Sequence, residues 1–302
     1  MQRYEDVLPN FVIAGAPKSG TSSVHTWLAD HPDALGSTEK ETYFFVDAGT
    51  HMYRPSRHIS RGIQGYSQFF RMRAGTKPIV ILESTPSYMY HDTALRHLPV
   101  IETRPKFLFI LREPAAQIYS LFNYFKNNWT WIPHGMEFAE YVECVRRGCS
   151  QFNGNELAQK SLRFASYVAF LERWREAVGE ERMQVRLFDE ILADEAAFTK
   201  SIANWLGLDS KFYDTYSFPR DNETYVIKSE KLQQVNVAMR RFLPKGSGYN
   251  FLRRLYRWVN TSAAREMAAA DRDVLRELRN EFASSNARLS DSFGLDVSGW
   301  GK

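Results

Sequence analysis

A run of small and hydroxyl-bearing residues, Gly15–Ser22, gives the clearest indication of chemistry in this sequence. It lies between a short apolar run and residues with helical spacing, which predicts a loop between a buried strand and a helix. The N–H groups at a helix N-terminus attract anions, and Lys18 adds a full positive charge. Hydroxyl donors come from Ser19, Thr21 and Ser22. The loop is therefore suited to a phosphate or similar oxyanion, the alternative being an ordinary turn with a solvated lysine.

The order of residues in this loop helps to identify the anion. A Walker A loop, which binds ATP, places lysine directly after its second glycine and then Ser or Thr for Mg²⁺. Here Gly20 is followed by Thr21, and Lys18 stands two residues before that glycine. The predicted strand ends also lack an aspartate for Mg²⁺, with Glu83 the only substitute. A P-loop kinase or NTPase is therefore disfavoured.

A second candidate anion site follows the apolar run 107–111. Arg112 leaves the carboxyl end of the strand predicted there, which is where open parallel sheets bind ligands. Ser120 lies about two turns into the helix that begins with Pro114. Arginine can bind a phosphate through two parallel hydrogen bonds, and the alternative for Arg112 alone is an ion pair with Glu113.

Short apolar runs without polar alternation predict the strands that position these residues. The strands lie at 11–15, 79–82, 107–111 and 183–188, and the longest intervening helix lies at 157–178. Because strands alternate with helices, we expect an α/β fold whose mostly parallel sheet is covered on both faces. A single domain of residues 1–302 is the simplest organisation, with a core at about 9–210 and helical C-terminal additions at about 228–290.

The composition excludes several classes of protein. The 302 residues are 44% hydrophobic and 25% charged with a net charge of +4, which is typical of a globular chain that does not bind nucleic acid. No apolar run approaches ~18 residues, so no membrane span is predicted, and the N-terminus does not resemble a signal peptide. Cys144 and Cys149 are too few for a disulfide framework, so we expect free thiols and a cytoplasmic location.

Four motifs occur together along the chain. They are Pro17–Ser22, Glu39–Phe45, Leu82–Tyr88, and Leu111–Pro114 with Ser120. The first and last resemble the 5′-phosphosulfate loop and the 3′-phosphate segment of sulfotransferases that use 3′-phosphoadenylyl sulfate (PAPS). The middle two are similar to the Lys/Asn-Glu-x-x-Phe-Phe and Glu-Lys-Thr-Pro-x-Tyr elements of the bacterial and heparan-sulfate-type branch.

This resemblance covers about residues 9–190 and implies a PAPS-dependent enzyme with a P-loop-like, three-layer α/β fold. It implies that the 5′-phosphosulfate is bound by Lys18, Ser19, Gly20, Thr21 and Ser22. It implies that Arg112 and Ser120 bind the 3′-phosphate and that residues 187–190 approach adenine. It also implies a late nucleotide-covering loop at 225–231, with Lys228 or Lys231 near a phosphate. Two catalytic roles follow: Glu41 as general base, and Lys18 beside the bridging oxygen of the donor.

One position departs from the family's pattern. Where the branch usually has a lysine thought to help at the sulfuryl group, this chain has Ser84. Either another cation substitutes for that lysine, or this subgroup differs. The alternative for Glu41 is a surface carboxylate in the charge cluster Glu39–Glu41, and the rival bases are His25, His51 and His91.

Together these inferences predict in-line transfer of a sulfuryl group from PAPS to a hydroxyl, less readily an amine, of a carbohydrate or small metabolite. A base and a cation are sufficient for this chemistry, so no metal is expected. Two alternatives stay open: a P-loop kinase or NTPase, and a catalytically inert nucleotide-binding protein on the same fold. Four aromatic residues fit either an acceptor cleft or core packing: Tyr124, Phe125, Trp129 and Trp131.

Overall fold

The computed structural model describes residues 4–5, 7–73, 75–219, 225–227, 261–263 and 267–301. Its strands are β1 (Tyr4–Glu5), β2 (Phe11–Gly15), β3 (Ala34–Gly36), β4 (Met72–Arg73), β5 (Val80–Glu83), β6 (Lys106–Leu111), β7 (Met183–Leu187), β8 (Tyr225–Ile227) and β9 (Thr261–Ala263). Its helices are α1 (Thr21–Ala29), α2 (Gln64–Ser67), α3 (Asp92–His97), α4 (Pro114–Asn128), α5 (Phe138–Arg146), α6 (Glu156–Gln159), α7 (Ser161–Ala165), α8 (Val168–Val178), α9 (Phe188–Ala193), α10 (Glu195–Leu206) and α11 (Ala269–Phe293).

Five parallel strands form the central sheet, in the order β3-β5-β2-β6-β7. The chain runs from β2 to β3 and β5 on one side of it, then crosses to β6 and β7 on the other. Val12 of β2 therefore pairs with Glu83 of β5 and with Phe107 of β6. Open parallel sheets bind ligands at the carboxyl ends of the strands, beside such a change of side.

The chain divides into two compact units. The first comprises Met1–Glu113, Ser166–Asp221 and Phe282–Lys302 and contains the parallel sheet, whereas the second comprises Pro114–Ala165 and Asn222–Glu281. The single domain expected from the sequence stays a prediction. The predicted core at 9–210 draws on both units. Most of the predicted helical part at 228–290 lies outside the described residues, apart from α11 and the strand β9.

Helices cover both faces of the sheet in the first unit. Successive side chains of a strand point to opposite faces. Leu108 of β6 belongs to a buried cluster with Trp27 of α1, on the face that α10 also covers. Phe107 and Phe109 of the same strand point the other way, with ring centroids 5.1 and 5.5 Å from Trp174 of α8. This arrangement confirms the predicted three-layer α/β fold.

Aromatic side chains form the core of the second unit. Phe122 of α4 lies 5.3 Å from the ring of Tyr141 on α5. The Tyr141 hydroxyl donates a hydrogen bond to the Ala158 carbonyl at 2.9 Å.

Among the described residues, no helix of the chain is long and apolar enough to cross a membrane.

The helix predicted at 157–178 is wrong as a single element, because the chain forms α6, α7 and α8 in that stretch. Asn155 caps α6 by accepting a hydrogen bond from the Ala158 N–H at 3.1 Å. The chain leaves helical geometry at Lys160 before α7 begins. At this break the buried Ser161 Oγ lies 2.8 Å from the Tyr141 hydroxyl, a polar contact that no periodicity of apolar residues could indicate.

The expectation of free thiols is also wrong. Cys144 on α5 and Cys149 in the following turn form a disulfide, with Cα atoms 5.4 Å apart. The turn brings them together, because the Cys149 N–H donates to the Cys144 carbonyl at 3.0 Å. Disulfides persist mainly in oxidising compartments, so these two cysteines do not support a reducing compartment. The cytoplasmic location stays a prediction.

We expect the double variant Cys144→Ser/Cys149→Ser to lose about 2 kcal/mol of unfolding free energy, because a disulfide that closes so short a loop restricts the unfolded chain by about that amount. Urea unfolding with and without a reductant measures the loss. The double variant should be insensitive to the reductant and serves as the control. Two reactive thiols in the native wild-type protein would contradict the disulfide.

Candidate functional site

The strands of the central sheet end beside the residues that could carry chemistry. Lys18 follows β2, Lys40 and Glu41 follow β3, Ser84 follows β5, Arg112 follows β6, and Phe188 follows β7. All of these residues belong to the first unit. Because the five strands are parallel, their carboxyl ends meet at one edge of the sheet. This edge is the candidate active site.

The loop after β2 has the backbone of an anion site. Lys18 and Gly20 both adopt left-handed conformations, with φ of 66° and 82°. Such a conformation is uncommon for a lysine and is often found where a loop binds a ligand. Helix α1 begins at Thr21 without a hydrogen bond from a capping side chain, so its first N–H groups face the loop. Negative charge is favoured at this position.

Ser19 gives an independent sign that the loop receives a ligand. Its side chain is fully buried, and its Oγ has no hydrogen-bond partner in the part of the chain that the structure describes. Leaving a buried hydroxyl unpaired costs about 1–3 kcal/mol. A bound oxyanion would supply the missing partner. The loop therefore fits the phosphate-like group that the sequence predicts.

Gly20 is needed at its position for two reasons. Its φ of 82° is strained for any residue with a side chain, and a Cβ there would lie 2.9 Å from the ring of Phe188. The close approach lets α9 pack directly against the loop. The glycine therefore holds the loop and the residues after β7 together.

Lys18 is the central cation of the site. Burial, together with the nearby charges of Arg112 and Lys40, lowers the pKa of Lys18 to about 8, although Glu41 acts in the opposite direction. Lysine normally titrates near ~10.4. Two further cations and one carboxylate thus lie close enough to act on Lys18. A site with this excess of positive charge favours a multiply charged anion.

Arg112 lies against the same loop. Its Nη1 donates to the Lys18 carbonyl at 3.4 Å, and its guanidinium lies over the Phe188 ring, 5.2 Å from the centroid. The Tyr167 hydroxyl donates to the Arg112 carbonyl at 3.0 Å and fixes the backbone at the strand end. Burial lowers the pKa of Arg112, although the group stays charged. Its position at the strand end agrees with the prediction.

The unpredicted strand β3 is what brings Glu41 to this edge. Strand β3 pairs with β5, and the pairing continues beyond it, where Ser37 N–H donates to the Leu82 carbonyl at 2.9 Å. Ser84 N–H donates to the Lys40 carbonyl at 3.2 Å. The residues that follow β3 are therefore held beside the carboxyl end of β5.

Two side chains hold the Glu41 carboxylate. Lys40 Nζ lies 3.1 Å from Glu41 Oε1, and the Tyr43 hydroxyl donates to Oε2. Glu41 is half-buried, whereas Glu39 points to the exposed Arg57 at 2.8 Å. The two acids of the cluster, Glu39 and Glu41, therefore have different partners. Of the two, Glu41 is the one that acts on the charge of Lys18.

The buried Glu83 carboxyl group holds the residue that follows Glu41. Glu83 Oε1 accepts hydrogen bonds from the Thr42 N–H at 3.3 Å and from the Thr42 and Thr85 hydroxyls. Burial raises the pKa of Glu83 to about 7, against the effect of the bonds from Thr85 and Thr42. Glu83 therefore fixes the backbone next to Glu41.

Comparison with known proteins agrees with this geometry. The Sulfotransferase domain family model matches residues 8–260 of the chain. The chain belongs to this family. The resemblance proposed from the four motifs is thereby confirmed, and membership sets aside the P-loop kinase alternative.

This sulfotransferase is also similar to individual relatives and to a solved structure. It is 24% identical over 208 residues to the human bifunctional heparan sulfate N-deacetylase/N-sulfotransferase 2, covering 67% of this chain and 22% of the relative. It is 23% identical over 218 residues to N-deacetylase/N-sulfotransferase 1 of Caenorhabditis briggsae, covering 69% and 24%. The chain therefore spans about a quarter of the length of these relatives. The sulfotransferase structure from Alicyclobacillus acidocaldarius matches with a TM-score of 0.65 at 21% identity, covering 98% of this chain and 100% of that one, which shows a shared fold.

The described part of the first unit does not include two of the predicted donor residues. Ser120 is half-buried on α4, in the second unit, and Lys228 lies outside the described residues. Their predicted contacts with the 3′-phosphate and another phosphate stay predictions. Thr21 is buried at the start of α1 and Ser22 is half-buried beside it, where both can face the anion.

The histidines of this sulfotransferase are poorer candidates for the base than Glu41. Burial, with a smaller effect of Lys40, lowers the pKa of His25 to about 3, and its Nδ1 lies 2.7 Å from Ser84 Oγ. His91 is buried, and its Nδ1 accepts a hydrogen bond from the Asp47 N–H at 3.1 Å. His51 lies in a turn. A group of such low basicity as His25 is a weak proton acceptor at neutral pH.

Sequence reasoning missed Lys40 and the His25–Ser84 pair. Lys40 is the lysine of the Lys/Asn-Glu-x-x-Phe-Phe element, but the pattern alone gives it no role, and its place beside the end of β5 depends on the short strand β3. The aromatic residues after α4 pack on one another: Trp129 stacks on Trp131 with centroids 5.1 Å apart, and Trp131 lies 5.3 Å from Phe125. Trp129 and Trp131 stay half-exposed, which agrees with both a packing and an acceptor role.

Proposed function

We propose that this sulfotransferase transfers the sulfuryl group of PAPS to a hydroxyl of a carbohydrate or small-metabolite acceptor. The observation that carries the proposal is the anion loop, in which a buried and unpartnered Ser19 Oγ lies beside the cationic Lys18. The carbohydrate acceptor is supported by the names of the relatives, which are heparan sulfate enzymes.

The donor site would be divided between the strand ends. The loop from Lys18 to Ser22 would hold the 5′-phosphosulfate through its N–H groups, hydroxyls and ammonium. Arg112 would hold the 3′-phosphate, a role for which a guanidinium is suited because it binds phosphate through two parallel hydrogen bonds. Ser120 and Lys228 would add contacts that rest on the family resemblance. Phe188, next to the Arg112 guanidinium, offers a ring near the proposed adenine position.

PAPS supplies a sulfuryl group that is already activated by its anhydride linkage to the 5′-phosphate. The acceptor oxygen would form a bond to sulfur as the bond between sulfur and the 5′-phosphate oxygen breaks, leaving 3′,5′-ADP. Glu41 would take the acceptor proton, and Lys18 would stabilise the negative charge that develops on the phosphate oxygen. This division of labour is supported by the electrostatic effect of Glu41 on Lys18, both of which follow strands that end at the same edge of the sheet.

An amine is the second candidate acceptor. The relatives carry the name N-sulfotransferase, and they match two thirds of this chain or more. The same base would serve, since a neutral amine also loses a proton as its nitrogen bonds to sulfur. A panel of sugars that differ only in bearing a free amine, an acetylated amine or a hydroxyl separates the two candidates.

The donor site is tested first by calorimetric titration with 3′,5′-ADP, 5′-AMP and ATP in the absence of Mg²⁺. We expect 3′,5′-ADP to bind most tightly and Arg112→Ala to weaken that binding by about 10- to 100-fold, because a hydrogen-bonded charge is lost. Binding of 5′-AMP, which has no 3′-phosphate, should change little.

Arg173→Ala provides the matched control, because Arg173 is half-exposed and pairs with Asp92 at 2.7 Å on the surface. Its affinity for 3′,5′-ADP should equal that of wild type. Preference for ATP, or equal affinities with and without the 3′-phosphate, would overturn the proposed donor. Tight binding of PAPS without turnover on any acceptor would instead favour an inert binding protein.

A further inference from the structure

Lys40 is a cation of the site to which neither the motifs nor the proposed function gives a role. Its carbonyl accepts a hydrogen bond from the Ser84 N–H at 3.2 Å, so its backbone lies directly beside the end of β5. Its Nζ lies 3.1 Å from Glu41 Oε1, and its side chain is 24% exposed. The ammonium thus sits next to the candidate base, on the side of the sheet edge where Lys18 also lies.

The two side chains beside Lys40 at the end of β5, Ser84 and His25, carry no charge, so Lys40 supplies the positive charge there. Ser84 is fully buried and carries no charge, and its Oγ is 2.7 Å from His25 Nδ1. His25 on α1 is neutral at physiological pH, since burial and Lys40 lower its pKa to about 3. The end of β5 therefore has a neutral Ser84–His25 pair beside it, and Lys40 and Lys18 are the nearby cations.

We propose that Lys40 binds the sulfuryl oxygens of the donor and gives up its contact with Glu41 when it does so. The inference rests on the proposed function. Lys18 faces the leaving phosphate oxygen in that proposal. Lys40 contacts the base and lies close enough to Lys18 to act on its charge, so a sulfuryl group held between base and leaving oxygen would be within reach of the Lys40 ammonium. Once the ammonium moves to the sulfuryl group, the Glu41 carboxylate keeps its Tyr43 contact and is free to accept the acceptor proton.

Because Lys40 exchanges Glu41 for the sulfuryl oxygens, the contacts of the base depend on whether the donor is bound. Before the donor arrives, the Lys40 ammonium is paired with Glu41 Oε1 at 3.1 Å. When the donor occupies the loop, its sulfuryl oxygens compete for the same ammonium. The acceptor oxygen then bonds to sulfur, its proton passes to Glu41, and the electron pair of the broken bond stays on the 5′-phosphate. No further reactant is needed.

The test compares PAPS with 3′,5′-ADP, which lacks the sulfuryl group. We expect Lys40→Met to weaken PAPS binding by about ten-fold, the loss of one charge-assisted contact, and to change 3′,5′-ADP binding less than about two-fold. Lys40→Arg keeps the charge and should retain most of the preference for PAPS. Both affinities are measured by calorimetry without an acceptor, so the readout is independent of turnover.

Lys200→Met is the matched control, because Lys200 also pairs with a carboxylate, Asp214 at 2.5 Å, but lies on α10. It should leave both affinities unchanged. An unchanged ratio of the two affinities in Lys40→Met would overturn the inference and leave Lys40 as a tether of Glu41. If wild type binds neither ligand, the proposed function fails instead, so the two failures are distinguishable.

Discussion

Replacing Lys18 by methionine is expected to reduce kcat for sulfuryl transfer by about 10²–10³-fold, the usual effect of removing one group that stabilises developing charge. The ammonium lies in the loop whose N–H groups face the anion, and it is held there by a left-handed backbone with φ of 66°. Methionine keeps the length of the side chain without its charge. The release of 3′,5′-ADP from PAPS over a panel of hydroxyl- and amine-bearing sugars measures the loss.

The comparison needs a charged and a remote variant. Lys18→Arg keeps the cation and should restore part of kcat, whereas Lys211→Met, an exposed change outside the site, should leave kcat unchanged. A Lys18→Met enzyme with wild-type kcat would show that the developing charge is stabilised by other groups. Equal losses in Lys18→Met and Lys18→Arg would indicate a packing role instead.

The low pKa of Lys18 gives this prediction a pH signature. With a pKa of about 8, the ammonium loses its proton as the pH rises through 8, and the neutral amine binds an anionic donor less well. Affinity for 3′,5′-ADP should therefore be highest below pH 8 and fall above it. Lys18→Arg stays charged and should bind with an affinity that is flat through this range.

The elements that form the sheet were largely predictable because they are buried on both faces. The runs 11–15 and 107–111 are continuously apolar and end at the residues with chemistry, so the strands, the loop and Arg112 could be located together. The short strand β3 could not, because three residues carry no recognisable period. It nevertheless decides where Glu41 lies.

Electrostatic relations within the site were beyond the sequence for a different reason. Lys40 and Ser84 are 44 residues apart in sequence and become neighbours only through the pairing of β3 with β5. The contact of His25 with Ser84 likewise joins α1 to the end of β5. Motifs identify residue types near a strand end, but which of them touch depends on the register of the sheet.

Glu41→Gln should lower kcat by about 10²–10⁴-fold, since the variant cannot accept the acceptor proton. The amide keeps the size of the side chain and can still contact Tyr43, so folding and donor binding should be preserved. Affinity for 3′,5′-ADP is therefore expected to match wild type within about two-fold, which separates loss of the base from loss of the site.

Glu39→Gln supplies the control for this change, because Glu39 lies two residues earlier and pairs with the exposed Arg57. Its kcat should be close to wild type. His25→Gln tests the rival base: the neutral, buried ring is bonded to Ser84, so its replacement should affect kcat far less than Glu41→Gln. A larger loss in His25→Gln, with Glu41→Gln still active and 3′,5′-ADP binding intact in both, would transfer the role of base to the histidine. It would also remove the reason for Lys40 to leave Glu41, because the carboxylate would then have no proton to accept.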